Sequence, residues 1–224
     1  MVGPATTNEE GYLLSRLVRD GLGSQDIDSR PAGGPSQPVR DALGAPALQA
    51  TIPDLEFAHA VLVLDTEPVD DAPVIDLRIR KGVRRHNVKL AVATSRPSSL
   101  DPNAHAVARF APGAGEAFVA ALNAALGGGG HVEELAARAG ADADAVQAVA
   151  DVLRGDGDAR SDEGAPSGHD VVILWGERLT AGERGDHAGR SLLNVARHLD
   201  LFSGRDGSGL LAVWGVVAAI VPGR

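Results

Sequence analysis

An α/β fold built on a mainly parallel sheet is predicted by two features of the sequence. Residues 60–64, 89–93 and 171–175 form short, nearly continuous apolar runs, the pattern of strands buried on both faces. The first two runs flank a helix-length segment opening at Pro73, so strand, helix and strand follow within about 35 residues, the length of a βαβ unit with a right-handed crossover.

Near the N-terminus, Thr7-Asn8-Glu9-Glu10 is a capping box, with Thr7 at the N-cap and Glu10 at the third helical position. Tyr12, Leu13, Leu17 and Val18 then recur at helical spacing until Gly21 and Gly23 close the helix. Residues 24–53 are rich in turn residues and poor in apolar ones, and read as an irregular excursion that carries contacts or lines a site. The strand Ala60–Leu64 stops at Asp65-Thr66-Glu67-Pro68. The Pro73 helix buries Ile75, Ile79 and Val83 and ends at His86-Asn87. The strand Lys89–Ala93 stops at Thr94-Ser95-Arg96-Pro97. A short strand at 106–111 leads through Pro112-Gly113 into a helix at 114–126 with Phe118, Val119 and Leu122. Gly127 to Gly130 form a linker, two Ala-rich helices lie near 131–139 and 142–154, and the acidic residues 155–168 read as flexible. Val171–Trp175 is the third buried strand, ending at Gly176-Glu177-Arg178, and a helix at 187–200 offers Leu192, Leu193, Val195, Ala196 and Leu199 for packing.

The chain has 224 residues, no cysteine, 3% aromatic residues and a formal net charge of −9. Without thiols there are no disulfides, thiolate zinc sites, cysteine nucleophiles or Cys-ligated iron–sulfur clusters. The acidic balance argues against nucleic-acid binding. The longest apolar stretch, 210–221, is interrupted by Gly215 and too short to span a bilayer. The start MVGPATTNEEGY lacks the basic and apolar regions of a signal peptide. A soluble, cytosolic chain is expected.

In an open parallel sheet the ligand crevice lies beyond the C-terminal ends of the strands. Candidate cofactor-binding positions are therefore Asp65, Thr66, Glu67, Thr94, Ser95, Arg96, Gly113 and Gly176, although polar loops begin at strand ends in any case. No phosphate-loop signature follows a strand, the seven histidines show no helical zinc spacing, and Ser95 and Ser98 lack a nucleophile-elbow context. No catalytic and no metal-binding residue is assigned. Arg78, Arg80, Lys81, Arg84 and Arg85 form a basic helix, either a contact surface for an acidic partner or a solvated face that complements the helix dipole.

Several segments resemble the molybdopterin oxidoreductase family. TNEEGYLLSRLVRDGLGSQDIDSR is similar to the family's TNEE-x-Y block. AVLVLDTEPVDDAPVIDLRIRKGVRRHNVKLAVATSRPSSLD is similar to its strand–loop–helix–strand block, which closes in a D-P-R-x-T turn. VARFAPGAGEAFVAALNAAL resembles its P-G-T-D helix, VVILWGERL a later strand and glycine turn, and GRDGSGLL its closing phrase. The likeness runs in order over about residues 6–211. Within the superfamily the wording is most similar to the large iron–sulfur (G) subunits of bacterial NADH-quinone oxidoreductase, respiratory complex I, whose domain of this kind holds no molybdenum. Asp65-Thr66-Glu67 stands where cofactor-binding members have a G-S-N loop. Thr94 replaces the aspartate of D-P-R-x-T, while Arg96 and Ser98 remain, and Gly115 replaces the aspartate of P-G-T-D. Losing both aspartates removes acceptors suited to a guanine edge, and Asp65 and Glu67 put negative charge near a pyrophosphate.

The resemblance implies a doubly wound α/β domain of molybdopterin-oxidoreductase type with a small Ala-rich helical insertion. Its expected parts are 1–53 (capped helix and irregular excursion), 54–126 (βαβ core), 127–168 (helical insertion and flexible acidic loop), 169–212 (return strand and helix) and 213–224 (divergent tail). It implies a structural part of the arm that passes electrons from NADH to quinone, with other peripheral-arm subunits as partners, no nucleic acid and no direct membrane insertion. The implied location is the cytoplasmic face of the inner membrane, reached through the complex. Iron–sulfur clusters are expected in full-length members and none on this chain, which looks like a partial chain, truncated or frameshifted, without the cluster-binding N-terminal region. Two alternatives stand beside this reading. One is a fragment binding molybdopterin guanine dinucleotide through Arg96 and backbone groups; the other is an independent small-molecule-binding protein using the crevice at 65–68 and 94–96.

Overall fold

Five strands, β1 (Ala60–Leu64), β2 (Lys89–Thr94), β3 (Ala106–Arg109), β4 (Val171–Gly176) and β5 (Gly209–Val213), pair in the order β3-β2-β1-β4-β5, every pair parallel. The computed structural model describes residues 7–27, 34–127, 130–155 and 170–213. The glycines at 128–129, most of the predicted acidic loop and the tail beyond Val213 lie outside these residues.

The helices in chain order are α1 (Asn8–Arg16), α2 (Gln37–Leu43), α3 (Asp54–Phe57), α4 (Pro68–Asp71), α5 (Pro73–His86), α6 (Gly115–Gly127), α7 (Val132–Ala139), α8 (Ala143–Arg154) and α9 (Gly185–His198). Side chains on a strand alternate between faces, and two separate cores result. Ala60, Leu62, Leu64, Ala91, Ala93 and Ile173 share one core with α2, α6, α7, α8 and α9. Val61, Val63, Leu90, Val92, Val172 and Leu174 share the other with α3 and α5. Helices on both faces make the fold doubly wound.

Local signals set the ends of several elements. Thr7 and Glu10 exchange the reciprocal capping bonds, Glu10 N–H to Thr7 Oγ1 at 3.2 Å and Thr7 N–H to Glu10 Oε2 at 3.0 Å. Pro73 opens α5, and Asn87, at φ 56°, closes it in the left-handed conformation that Asn tolerates. No residue of α1 is buried, and Tyr12, Leu13 and Leu17 are more than half exposed.

Two expectations need correction, and a third gains detail. The excursion at 24–53 is partly regular: it contains α2, whose Val39 and Leu43 are buried, and a short 3-10 turn at Pro46–Leu48. Its end then docks on the sheet, where Gln49 bridges Leu210 and Ala50 N–H donates to Leu210 O at 2.9 Å. The Ala-rich helical insertion is packed into the domain. Val146, Val149, Ala150 and Leu153 of α8 belong to the main core, and α8 packs on β2 and β3, whose small Ala91, Ala93, Ala106 and Ala108 let the helix approach. Finally, the boundary at 212/213 cuts a strand, because β5 continues through Val213.

Gly82 shows how closely α5 sits on the segment before β1. A Cβ there would lie 2.8 Å from Leu55 O and 3.1 Å from Glu56 Cα. Alanine in place of glycine ordinarily stabilises a helix by about 1 kcal/mol. Gly82→Ala is nevertheless expected to destabilise the domain by roughly 1–3 kcal/mol, because backbone must move. Denaturant unfolding checks this; an unchanged or raised stability would show that α3 yields freely.

Candidate functional site

The chain goes from β1 through β2 to β3 on one side and returns with β4 on the other, so the strand order reverses at β1. Beyond the C-terminal ends of β1 and β4 lies the switch-point crevice of such a sheet. Its two walls touch: a Cβ on Gly176 would stand 2.5 Å from the Asp65 carbonyl oxygen. Glycine at 176 is therefore required by close approach of the two loops. Arg178 continues the seal, its Nε donating to Asp65 O at 3.4 Å.

Most predicted positions after β1 and β2 are engaged within the protein. Thr66 Oγ1 donates to Asp71 Oδ2 at 2.8 Å, and the Glu67 N–H donates to the same oxygen at 3.2 Å. The buried Glu67 carboxylate accepts from Ser99 N–H and Oγ at 3.2 and 2.8 Å. Thr94 Oγ1 donates to Arg96 O at 2.7 Å and accepts from Arg109 at 2.9 Å. Arg109 also pairs with Asp101, whose carboxylate accepts the Ser98 N–H at 3.0 Å. The exposed Arg96 side chain pairs with Asp70 at 3.3 Å. Ser95 is half-buried in the same loop. Gly113, at φ 78°, makes the turn two residues before Gly115. Asp71, Ser99, Asp101 and Arg109 complete this polar rim and were not singled out from the sequence, since no motif marks a side chain that matters only as a distant partner.

Asp65 differs from its neighbours. It has φ 50°, a left-handed conformation that aspartate adopts only occasionally, and is 9% exposed. Its carboxylate accepts no hydrogen bond from a described side chain or backbone group, and Oδ2 lies against Gly115 at the start of α6. Burial pushes the Asp65 carboxyl up from its ordinary value; the charges of Arg178 and Arg96 oppose the shift without cancelling it.

The five cations of α5 do not act as one surface. Arg78 and Lys81 both pair with the buried Glu56, Lys81 at 2.6 Å, and their hydrogen bonds hold the Glu56 carboxyl below its usual range. Arg80 is held by Asp76 at 2.8 Å, Asn103 at 2.9 Å and Ser99 O at 3.0 Å. Arg84 and Arg85 are exposed in the last turn of the helix.

The family model for molybdopterin oxidoreductase matches residues 1–211. The chain is 30% identical over 126 residues to the alpha subunit of the NADPH-Fe(3+) oxidoreductase of Geobacter sulfurreducens, a match that covers 55% of this chain and 15% of that protein. It is 38% identical over 92 residues to the NADH-quinone oxidoreductase G subunit of Mycobacterium bovis, covering 39% of this chain and 11% of that protein. Identity to the corresponding G subunit of Streptomyces coelicolor is 28% over 145 residues, 57% of this chain and 17% of that protein. The chain thus spans a small part of the length of each of these relatives.

The raised Asp65 carboxyl gives a signed pH dependence. The folded state holds this proton more tightly than the unfolded chain, so stability falls as pH rises from the ordinary value of 3.8 through the raised one. Asn keeps the shape and tolerates the positive φ. Asp65→Asn is therefore expected to raise Tm at pH 7, with a gain that shrinks as pH falls toward 3.8. Thermal unfolding of both proteins across the range from acid to neutral pH measures it; a lower Tm for the variant at pH 7 would mean that the charge attractions outweigh burial.

Proposed function

The chain belongs to the molybdopterin oxidoreductase family, and we propose that it serves as the molybdopterin-oxidoreductase-like domain of an NADH-quinone oxidoreductase G subunit. In this role it is a structural part of the arm that passes electrons from NADH to quinone and performs no redox step itself. Relatives that bear the G-subunit name support the assignment. The observation that carries the structural role is the state of the switch point. A molybdopterin guanine dinucleotide would bring two linked phosphates to a place where Asp65 and Glu67 are buried and the walls after β1 and β4 are in contact. Burying like charges together is strongly unfavourable, so the residues present do not fit that group.

The partners under this reading are other peripheral-arm subunits at the cytoplasmic face of the inner membrane. Among the described residues no helix is long and apolar enough to cross a membrane, and under this reading attachment is through protein contacts. Arg84 and Arg85, left outside the internal pairs of α5, are the cations available for such a contact.

A dinucleotide-binding role keeps one supporting feature. The Arg96 side chain is held by an exposed ion pair to Asp70, an interaction usually worth about 0–1 kcal/mol that a phosphate would displace. Molybdenum and pterin analysis of the purified chain separates the two readings, with neither expected.

On a native gel of membranes from the source cells, the chain is expected to co-migrate with the band stained for NADH dehydrogenase activity. Detection only as free low-mass protein would reject the assignment, and stoichiometric molybdopterin would reject the structural role.

A further inference from the structure

Exposed large apolar side chains among the described residues gather at two places. The first is α1 with the π-helical turn Leu17–Gly21 that continues it. Leu13, Leu14 and Leu17 recur there at helical spacing along one stripe, Leu13 and Leu17 more than half exposed. Glu9 and Glu10 stand at the N-terminal end of that stripe. No residue of α1 is buried, and a Cβ on Gly11 would meet nothing within 4 Å. A nine-residue helix with nothing packed on it is marginal in water, so its stripe calls for a cover. The second place is the outer face of α5, where Val74 and Leu77 are both more than half exposed. Lys81, Arg84 and Arg85 follow on the same face, and with Leu77 and Arg80 they line an open groove of about 330 Å³. Arg84 and Arg85 have no ion pair among the described residues.

We propose that the chain pairs with a second copy of itself, α1 of each copy lying antiparallel on the outer face of the other's α5. The two faces match in length, apolar content and charge. Residues 10–17 and 74–81 cover equal lengths of helix, about 10 Å each. Laid antiparallel, Leu13 meets Leu77 and Leu17 meets Val74. Glu9 and Glu10 then face the C-terminal half of α5, where Arg84 and Arg85 lean back toward Leu77, as helical side chains do. Opposed helix dipoles favour the same direction. Reciprocal exchange covers both faces of both copies and so closes the pair. The inference goes beyond the assignment to the complex and does not rest on it: the free chain pairs through the face that would serve the partner contact in the arm.

Sedimentation velocity of the full chain over about 1–200 µM tests this, because interfaces of this size are transient. A monomer–dimer equilibrium is expected. Leu77→Asp, at an exposed position, is expected to weaken pairing at least about tenfold, with the fold intact by circular dichroism. The charges allow a sharper test. One variant carries Arg84→Glu with Arg85→Glu; the other carries Glu9→Lys with Glu10→Gln, since Gln preserves the capping box of α1. Each alone is expected to self-associate at least about fivefold more weakly than the parent. An equimolar mixture is expected to regain pairing, because both exchanged contacts then join opposite charges. A chain that stays monomeric throughout would overturn the proposal, as would open-ended growth beyond the dimer. So would pairing unchanged by Leu77→Asp, or a mixture that pairs no better than either charge variant alone. A monomer that co-migrates with the NADH dehydrogenase band sinks this inference and leaves the assignment to the complex standing. Pairing without co-migration gives the reverse.

Discussion

The enclosure of β1 on all sides is the constraint from which the architecture follows. Its backbone pairs with β2 along one edge and β4 along the other, and all five of its residues are fully buried. With both edges hydrogen-bonded, each face has to be covered by helices, and parallel pairing supplies them, since every return to the sheet needs a crossover. α5 makes that crossover on one face. The β3-to-β4 connection runs through α6, α7 and α8 on the other. The small alanines of β2 and β3 let α8 lie close, which explains how a chain with 3% aromatic residues still fills its core.

The same enclosure concentrates polar chemistry at one end of the sheet. Loops leaving β1, β2 and β4 emerge together, and their carboxylates need partners or must stay near water. Glu67 finds Ser99, Asp71 finds Thr66, and Asp101 finds Arg109 and Ser98. The Asp65 carboxylate accepts no hydrogen bond among the described residues, and its environment works in two directions: burial disfavours its charge, while Arg178 and Arg96 favour it. On the opposite face the buried Glu56 carboxylate pairs with both Arg78 and Lys81. Three of the five cations on α5 therefore serve the fold, and its charge density overstates the surface left for a partner.

Membership of the molybdopterin oxidoreductase family and the closed switch point lead in the same direction. A sheet of this topology places ligands where its order reverses, and here that place is taken up by contact between the Asp65 carbonyl and Gly176.

The three central strands, the limits of α5 and the capping box of α1 were legible from sequence. Continuous apolar runs, a leading Pro73, a closing Asn87 and the Thr7–Glu10 pair act within a few residues of themselves. The ends of these strands could be placed for the same reason, because an apolar run stops at its own polar residues. β5 and α2 could not. The apolar run containing β5 extends past it, so only pairing with β4 defines the strand. α2 is buried because Val39 meets α9 at Gly189, some 150 residues away, where a Cβ would lie 2.6 Å from Val39 Cγ1. Tertiary structure likewise decided which charges are free, since Glu56, Ser99 and Arg109 reach their partners from separate elements. Local pattern fixes where a strand or helix begins; only the folded chain decides which carboxylate is satisfied and which, like Asp65, is left facing the start of a helix.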